Sequence, residues 1–109
     1  MWQPIPTDFI THDDIIYIKD GKKDYFVRIR DIGAITSSSE YTEVLTTRFK
    51  PILARRSLKE WEEILPPAHF SKIHRQTIVN LDYLEKLEPL SNNRLAVHLR
   101  SGFPKLATD

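Results

Sequence analysis

Cysteine is absent from the 109-residue chain, glycine occurs only at positions 21, 33 and 102, and there is a single methionine. Without cysteine no disulfide framework or thiolate metal site can form, a usage that fits a reducing compartment. Glycines so few and so far apart cannot build the loop that wraps a phosphate chain, which removes the usual nucleotide-binding motifs. No stretch approaches the roughly 18 apolar residues of a membrane span. The opening MWQPIPTDFI has no basic segment leading into an apolar run, so no leader is expected there. A cytoplasmic chain without membrane contact from this segment is the expectation. Excess charge of one sign is lacking too: 16 Lys and Arg against 15 Asp and Glu leave a net +1. Attraction to a polyanion therefore has to come from a local patch.

What is present is an ordinary globular composition, 40% hydrophobic and 28% charged, in a length that suits one core. Residues 1–109 are read as a single domain. Charge does segregate locally. Arg48, Lys50, Arg55, Arg56 and Lys59 carry no acid among them, and Glu60, Glu62 and Glu63 follow at once. Such a run marks either a basic surface or two solvated faces that happen to differ.

Alternation dominates the chain. Ile15 to Ile18 and Tyr25 to Val27 flank Asp20-Gly21, a hairpin signal because glycine supplies the positive φ of a tight turn. In the second run Tyr25, Val27 and Ile29 make an apolar face opposite Phe26, Arg28 and Arg30. A short strand is expected near Ile32 to Ile35, then a polar loop at Ser37, Ser38, Ser39 and Glu40, then a β-branched strand from Tyr41 to Phe49. One helix stands out: Ser57 and Glu60 form a capping-box signature, Leu58, Trp61, Ile64 and Leu65 share a face, and Pro66-Pro67 ends it. AHFSKIH after the prolines is read as a turn of α or 3₁₀ helix, leading into a strand at Thr77 to Val79. YLEKLEPL and RLAVHLR are further strands about a turn at Ser91 to Asn93, and Pro104 either confines a last strand to an edge or demotes it. The fold class is mainly β, antiparallel, with one short helix.

Catalytic and metal motifs are missing. His12, His69, His74 and His98 fall in no His-Glu-x-x-His or other familiar two-ligand spacing, so neither metal nor cofactor is expected. Ser37 to Ser39 lie in no Gly-x-Ser-x-Gly elbow, and a hydrolase would need a pocket joining one of them to His12, His69 or His98. FSKIHRQTIVN, residues 70–80, carries more information. Lys72 and Arg75, three apart, would project from one side of a helical turn and suit phosphate oxygens, with the arginine fork able to reach a guanine edge. The competing reading makes Arg75 a salt-bridge partner, and His74 is read as a packed histidine with a satisfied hydrogen bond.

The order Leu65-Pro66, Phe70, Lys72, His74, Arg75, Ile78, Val79, Asn80 resembles the LytTR DNA-binding domain of bacterial response regulators. DDIIYIKDGKKDYFVRIRDIGAITSSSEYTEV is similar to that family's opening hairpin, Asp-Ile strand and loop before Tyr, so the resemblance runs over about residues 13–106. It implies an elongated sandwich of antiparallel sheets that binds double-stranded DNA through loops in successive major grooves, at paired direct repeats, as a dimer on DNA. A receiver or sensor domain would lie outside this chain. By position, Ser38, Ser39, Glu40 and Tyr41 would supply one groove contact, with Tyr41 reading bases. Lys72, Arg75 and Gln76 would supply a central contact, mostly to phosphate. Lys72 stands where the family usually has arginine, and Gln76 where it has serine. The family's closing Val-Ser-Arg-Arg has no counterpart after Leu106, which leaves Lys105 as the nearest candidate for a third contact. His74 and Asn80 are expected to hold turn and strand together. A β-rich protein-interaction module without DNA binding is the alternative.

Overall fold

The computed structural model describes residues 11–38, 40–100 and 102–108. Ile15–Asp20 (β1) and Lys23–Arg28 (β2) form a hairpin turned at Gly21, whose φ is 63°. The apolar face of β2 holds to Ile29, but the strand does not. Ile29–Asp31 is a 3₁₀ turn, so Arg30 leaves the row of Phe26 and Arg28. A five-stranded sheet follows, built from Ile32–Ser38 (β3), Tyr41–Thr46 (β4), Ile52–Ala54 (β5), Phe70–His74 (β6) and Thr77–Asn80 (β7) in the order β5-β4-β3-β7-β6. Leu58–Ile64 is the helix (α1), with the capping box present in full: Ser57 Oγ accepts from the Glu60 amide at 3.1 Å, and Glu60 Oε1 accepts from the Ser57 amide at 3.3 Å. Leu84–Pro89 (β8), Leu95–Leu99 (β9) and Leu106–Ala107 (β10) make a three-stranded sheet with β10 at its edge, the last strand being only two residues long and starting beyond Pro104. The β8–β9 turn has positive φ at Asn92 (64°) and Asn93 (59°), the conformation asparagine tolerates best after glycine.

Alternation along the central strands feeds two cores. Ile35, Val44 and Ile78 point to one side, where the β1–β2 hairpin and Trp61 of α1 cover them. Ala34, Leu45 and Val79, their neighbours in sequence, point to the other, under Val97 and Leu99. Covering both faces explains why all of β7, Thr77 to Asn80, is buried. At Gly33 a Cβ would come within 2.4 Å of the Phe103 ring, so the position leaves no room for a side chain. The principal extents of 55, 35 and 26 Å match the expected elongated sandwich.

Residues 70–74 correct the expectation of a helical turn. They are a strand, paired with β7 at Phe70–Asn80, Ser71–Val79, Lys72–Ile78 and His74–Thr77, with a register shift between Lys72 and His74. That irregularity breaks the two-residue alternation by which a strand shows itself in sequence. Ser37 and Ser38 likewise belong to β3 and not to a loop, opposite Thr42 and Tyr41.

Candidate nucleic-acid interface

Sheet order decides which loops become neighbours. β3 lies between β4 and β7 and is antiparallel to both, so the β3–β4 and β6–β7 hairpins turn at the same end of the sheet. The Ser37 amide donates to the Gln76 carbonyl at 2.9 Å, carrying the β3–β7 ladder out to the second tip. With strands about 4.8 Å apart, the centres of the two tips are about 10 Å from each other.

At the β3–β4 tip Ser38 and Glu40 are exposed, and Ser39 lies outside the described residues. Tyr41 is half-buried, and its phenol oxygen accepts from Arg55 Nη2 at 3.0 Å and Nε at 3.3 Å. The same guanidinium lies 5.4 Å from the Tyr41 ring centroid, within cation–π range. Arg55 was not singled out among the expected contacts. Its one trace in the sequence is the acid-free run from Arg48 to Lys59. The fold divides that run. Arg48 and Lys50 follow β4 at the far end of the sheet, where Arg48 Nε stands 3.8 Å from Asp31, while Arg55 and Arg56 leave β5 beside Tyr41. Their mount is rigid. Trp61 Nε1 donates to Thr42 Oγ1 at 2.8 Å, that hydroxyl donates to the Arg56 carbonyl at 2.9 Å, and the Arg56 guanidinium covers the Trp61 ring at 5.0 Å.

At the β6–β7 tip the strand geometry separates Lys72 from Arg75, which do not share a helical face. Lys72 sits on β6 opposite Ile78, with Nζ 3.4 Å from Glu62 Oε2. Arg75 is in the turn, exposed, and has no ion pair among the described residues. Gln76 beside it is exposed as well. His74 is half-buried and accepts the Gln76 amide on Nδ1 at 3.3 Å, so its ring proton belongs on Nε2 and the ring closes the turn. Asn80 is fully buried, with Nδ2 donating to the Ile32 carbonyl at 2.9 Å and Oδ1 accepting from the Asp82 amide at 2.9 Å. One side chain thus fastens β7 to β3 and shapes the exit toward β8.

The last strand reaches the same end. Leu106, Ala107 and Thr108 line a groove of about 220 Å³ with Thr36, Ser37, His74 and Gln76. Lys105 is exposed just before this strand and is not among the residues lining the groove. Its field instead reaches Glu88, whose carboxyl is held below its ordinary 4.5, first by the hydrogen bond from His98 and then by Lys86, with Lys105 a smaller contributor. The histidines that a serine hydrolase would need are occupied elsewhere: His69 faces Asp82 at 3.0 Å and His98 faces Glu88 at 3.1 Å. The histidine that shares a groove with Ser37 is His74. No helix of the described residues is long and apolar enough to cross a membrane.

Comparison with known proteins bears on the family and the fold. The family model of the LytTr DNA-binding domain matches residues 22–106. The transcriptional regulatory protein YpdB of Escherichia coli K12 is 30% identical over 97 residues, 89% of this chain and 39% of that protein, and YpdB of Shigella flexneri gives the same figures. The chain therefore spans well under half the length of these curated relatives. In three dimensions the LytTr DNA-binding domain of a response regulator from Bacillus cereus superposes with a TM-score of 0.72 at 19% identity, over 86% of this chain and 84% of that one. Fold, motif order and family match agree, and the chain belongs to the LytTR family of DNA-binding domains.

Proposed function

We propose that the chain is the output domain of a bacterial transcription regulator and reads DNA with the two hairpin tips that share one end of its central sheet. The adjacency of Ser38–Tyr41 to Arg75-Gln76, fixed by the bond from the Ser37 amide to the Gln76 carbonyl, carries this reading. A B-DNA major groove is about 12 Å wide. Tips about 10 Å apart suit one hairpin in the groove and the other on the flanking backbone. Tyr41, steadied by Arg55, is assigned to base edges. Arg75, with Lys72 and Gln76 beside it, is assigned to phosphate, and Arg55 joins the basic surface. Lys105 would reach a further phosphate on the C-terminal side. Binding is an equilibrium in which cations displace counterions and loop side chains select sequence, with no bond made or broken. Paired direct repeats occupied by two copies, a cytoplasmic setting and an input domain elsewhere in the full protein complete the proposal.

Backbone amide shifts during titration with a mixed pool of duplexes, at several salt concentrations, test it. Salt-sensitive shifts should gather at residues 37–41, 55 and 72–76. Shifts confined to the β1–β2 hairpin, or none at low salt, would overturn the assignment of the tips and revive the protein-interaction module.

A further inference from the structure

His12, His69 and Asp82, distant in sequence, meet where the chain enters the fold. His12 Nε2 lies 3.1 Å and His69 Nδ1 3.0 Å from the same oxygen, Asp82 Oδ2, and the two rings stack with centroids 4.0 Å apart. The potential ligand atoms of all three residues lie within 4.8 Å of one another. We propose that these residues form a binding site for a divalent transition-metal ion of the zinc type, distinct from the DNA-contacting end.

Three observations carry this. A tetrahedral ion with bonds of about 2.0–2.1 Å sets its ligand atoms roughly 3.3 Å apart, so the two nitrogen–oxygen separations are already close to ligand spacing. Next, His12 Nε2 is buried yet has no hydrogen-bond partner among the described residues; Asp82 Oδ2 is near enough, but not in line for a hydrogen bond. A lone pair desolvated and unused is costly in a plain ion pair and is what a metal would occupy. Finally, each ligand has a fixed root. The His12 carbonyl accepts the Arg30 amide at 2.9 Å, the His69 carbonyl accepts the Leu81 amide at 2.6 Å, and the Asp82 amide is held by Asn80 Oδ1 at 2.9 Å. These backbone and buried bonds hold the three residues near one another, in addition to the His69–Asp82 contact itself.

Two imidazole nitrogens and one carboxylate oxygen suit zinc, cobalt, nickel or copper and poorly suit magnesium or calcium, which prefer all-oxygen shells. Coordination requires the near-parallel rings, 10° apart in plane, to turn toward a common point. Side-chain exposures of 31%, 34% and 45% for His12, His69 and Asp82 leave room for that turn and for water in a fourth position. An ion here would tie the entry to β1 to both ends of the β6–β7 hairpin.

Zinc chloride added to chelator-treated protein, followed by imidazole resonances and by thermal unfolding, tests the site. One equivalent should move the ring signals of His12 and His69 and leave those of His74 and His98 in place. Tm should rise saturably by several degrees, with magnesium chloride having no such effect. His69→Gln and Asp82→Asn should abolish both responses. Absence of a saturable shift at millimolar zinc, movement of His74 or His98 instead, or undiminished binding in either variant would overturn the proposal. The ring signals of the unaltered protein decide the matter even if a variant fails to fold.

Discussion

The two hairpin tips at one end of the central sheet are built on different plans. In the β3–β4 tip an aromatic ring is held in place by a cation from the neighbouring strand exit, Arg55 on Tyr41. In the β6–β7 tip the cation itself is the exposed group, since Arg75 has no ion pair among the described residues. A restrained side chain loses little freedom on binding and presents one shape, which suits discrimination among base edges. An unrestrained arginine adapts to wherever a phosphate lies, which suits register and affinity. The contrast teaches that one sheet end can carry opposite degrees of side-chain order, the combination that the proposed division into a reading and a positioning tip calls for.

Removing what the tips share should have the largest effect. Asn80→Ala deletes two hydrogen bonds and strands the Ile32 carbonyl in the core, which should cost about 3 kcal/mol in denaturant unfolding. A loss below about 1 kcal/mol would show that β7 is seated without it. Next comes the reading tip. Tyr41→Ala should lower the preference for a cognate over a scrambled duplex by about tenfold or more while circular dichroism stays unchanged. Arg55→Ala should act in the same direction and more weakly. The double variant should fall short of the sum of the two, because Arg55 acts through the ring; strict additivity would separate them.

A smaller change is expected at the positioning tip. Arg75→Ala should flatten the dependence of log K on log salt by about 0.9 with sequence preference intact, one phosphate's worth of counterion release. Lys72→Ala should flatten it less, since Lys72 has to leave Glu62 before it meets a phosphate. Glu62→Gln should restore the difference, and equal slopes for both lysine and arginine variants would dismiss the Glu62 contact. Least is expected from Glu88. Its folded carboxyl lies below 4.5, mainly through His98, so its contribution to stability is present above the unfolded value and is lost as pH falls through the folded one. Glu88→Gln should therefore match the parent in strong acid and be slightly less stable above about pH 5, as urea midpoints across that range will show.

How much of this was legible beforehand depends on how local each signal is. The capping box of Ser57 and Glu60 and the turn at Gly21 are written within a few residues, and both stand in the structure. β6 was misread because the shift between Lys72 and His74 disrupts its alternation just after a proline pair that suggests a short turn. β5 was missed because Ile52–Ala54 is too short to show a period. In the candidate site, motif order pointed to Lys72, Arg75 and Tyr41. What holds them did not show: Arg55 meets Tyr41 only because β5 pairs with β4, and Lys72 meets Glu62 only because α1 packs near β6. Contacts made through strand pairing have no fixed spacing in the chain.

Gly33 carries a consequence for the seat of the C-terminal segment. The Phe103 ring rests where a Cβ at this position would be, so the missing side chain sets the gap between the central sheet and the segment leading to Leu106–Thr108. A methyl group there would act as a shim, pressing on the ring and with it on the segment that carries Lys105 toward the groove beside Gln76. The absence of one side chain is thus what lets the Phe103 ring lie directly on the central sheet.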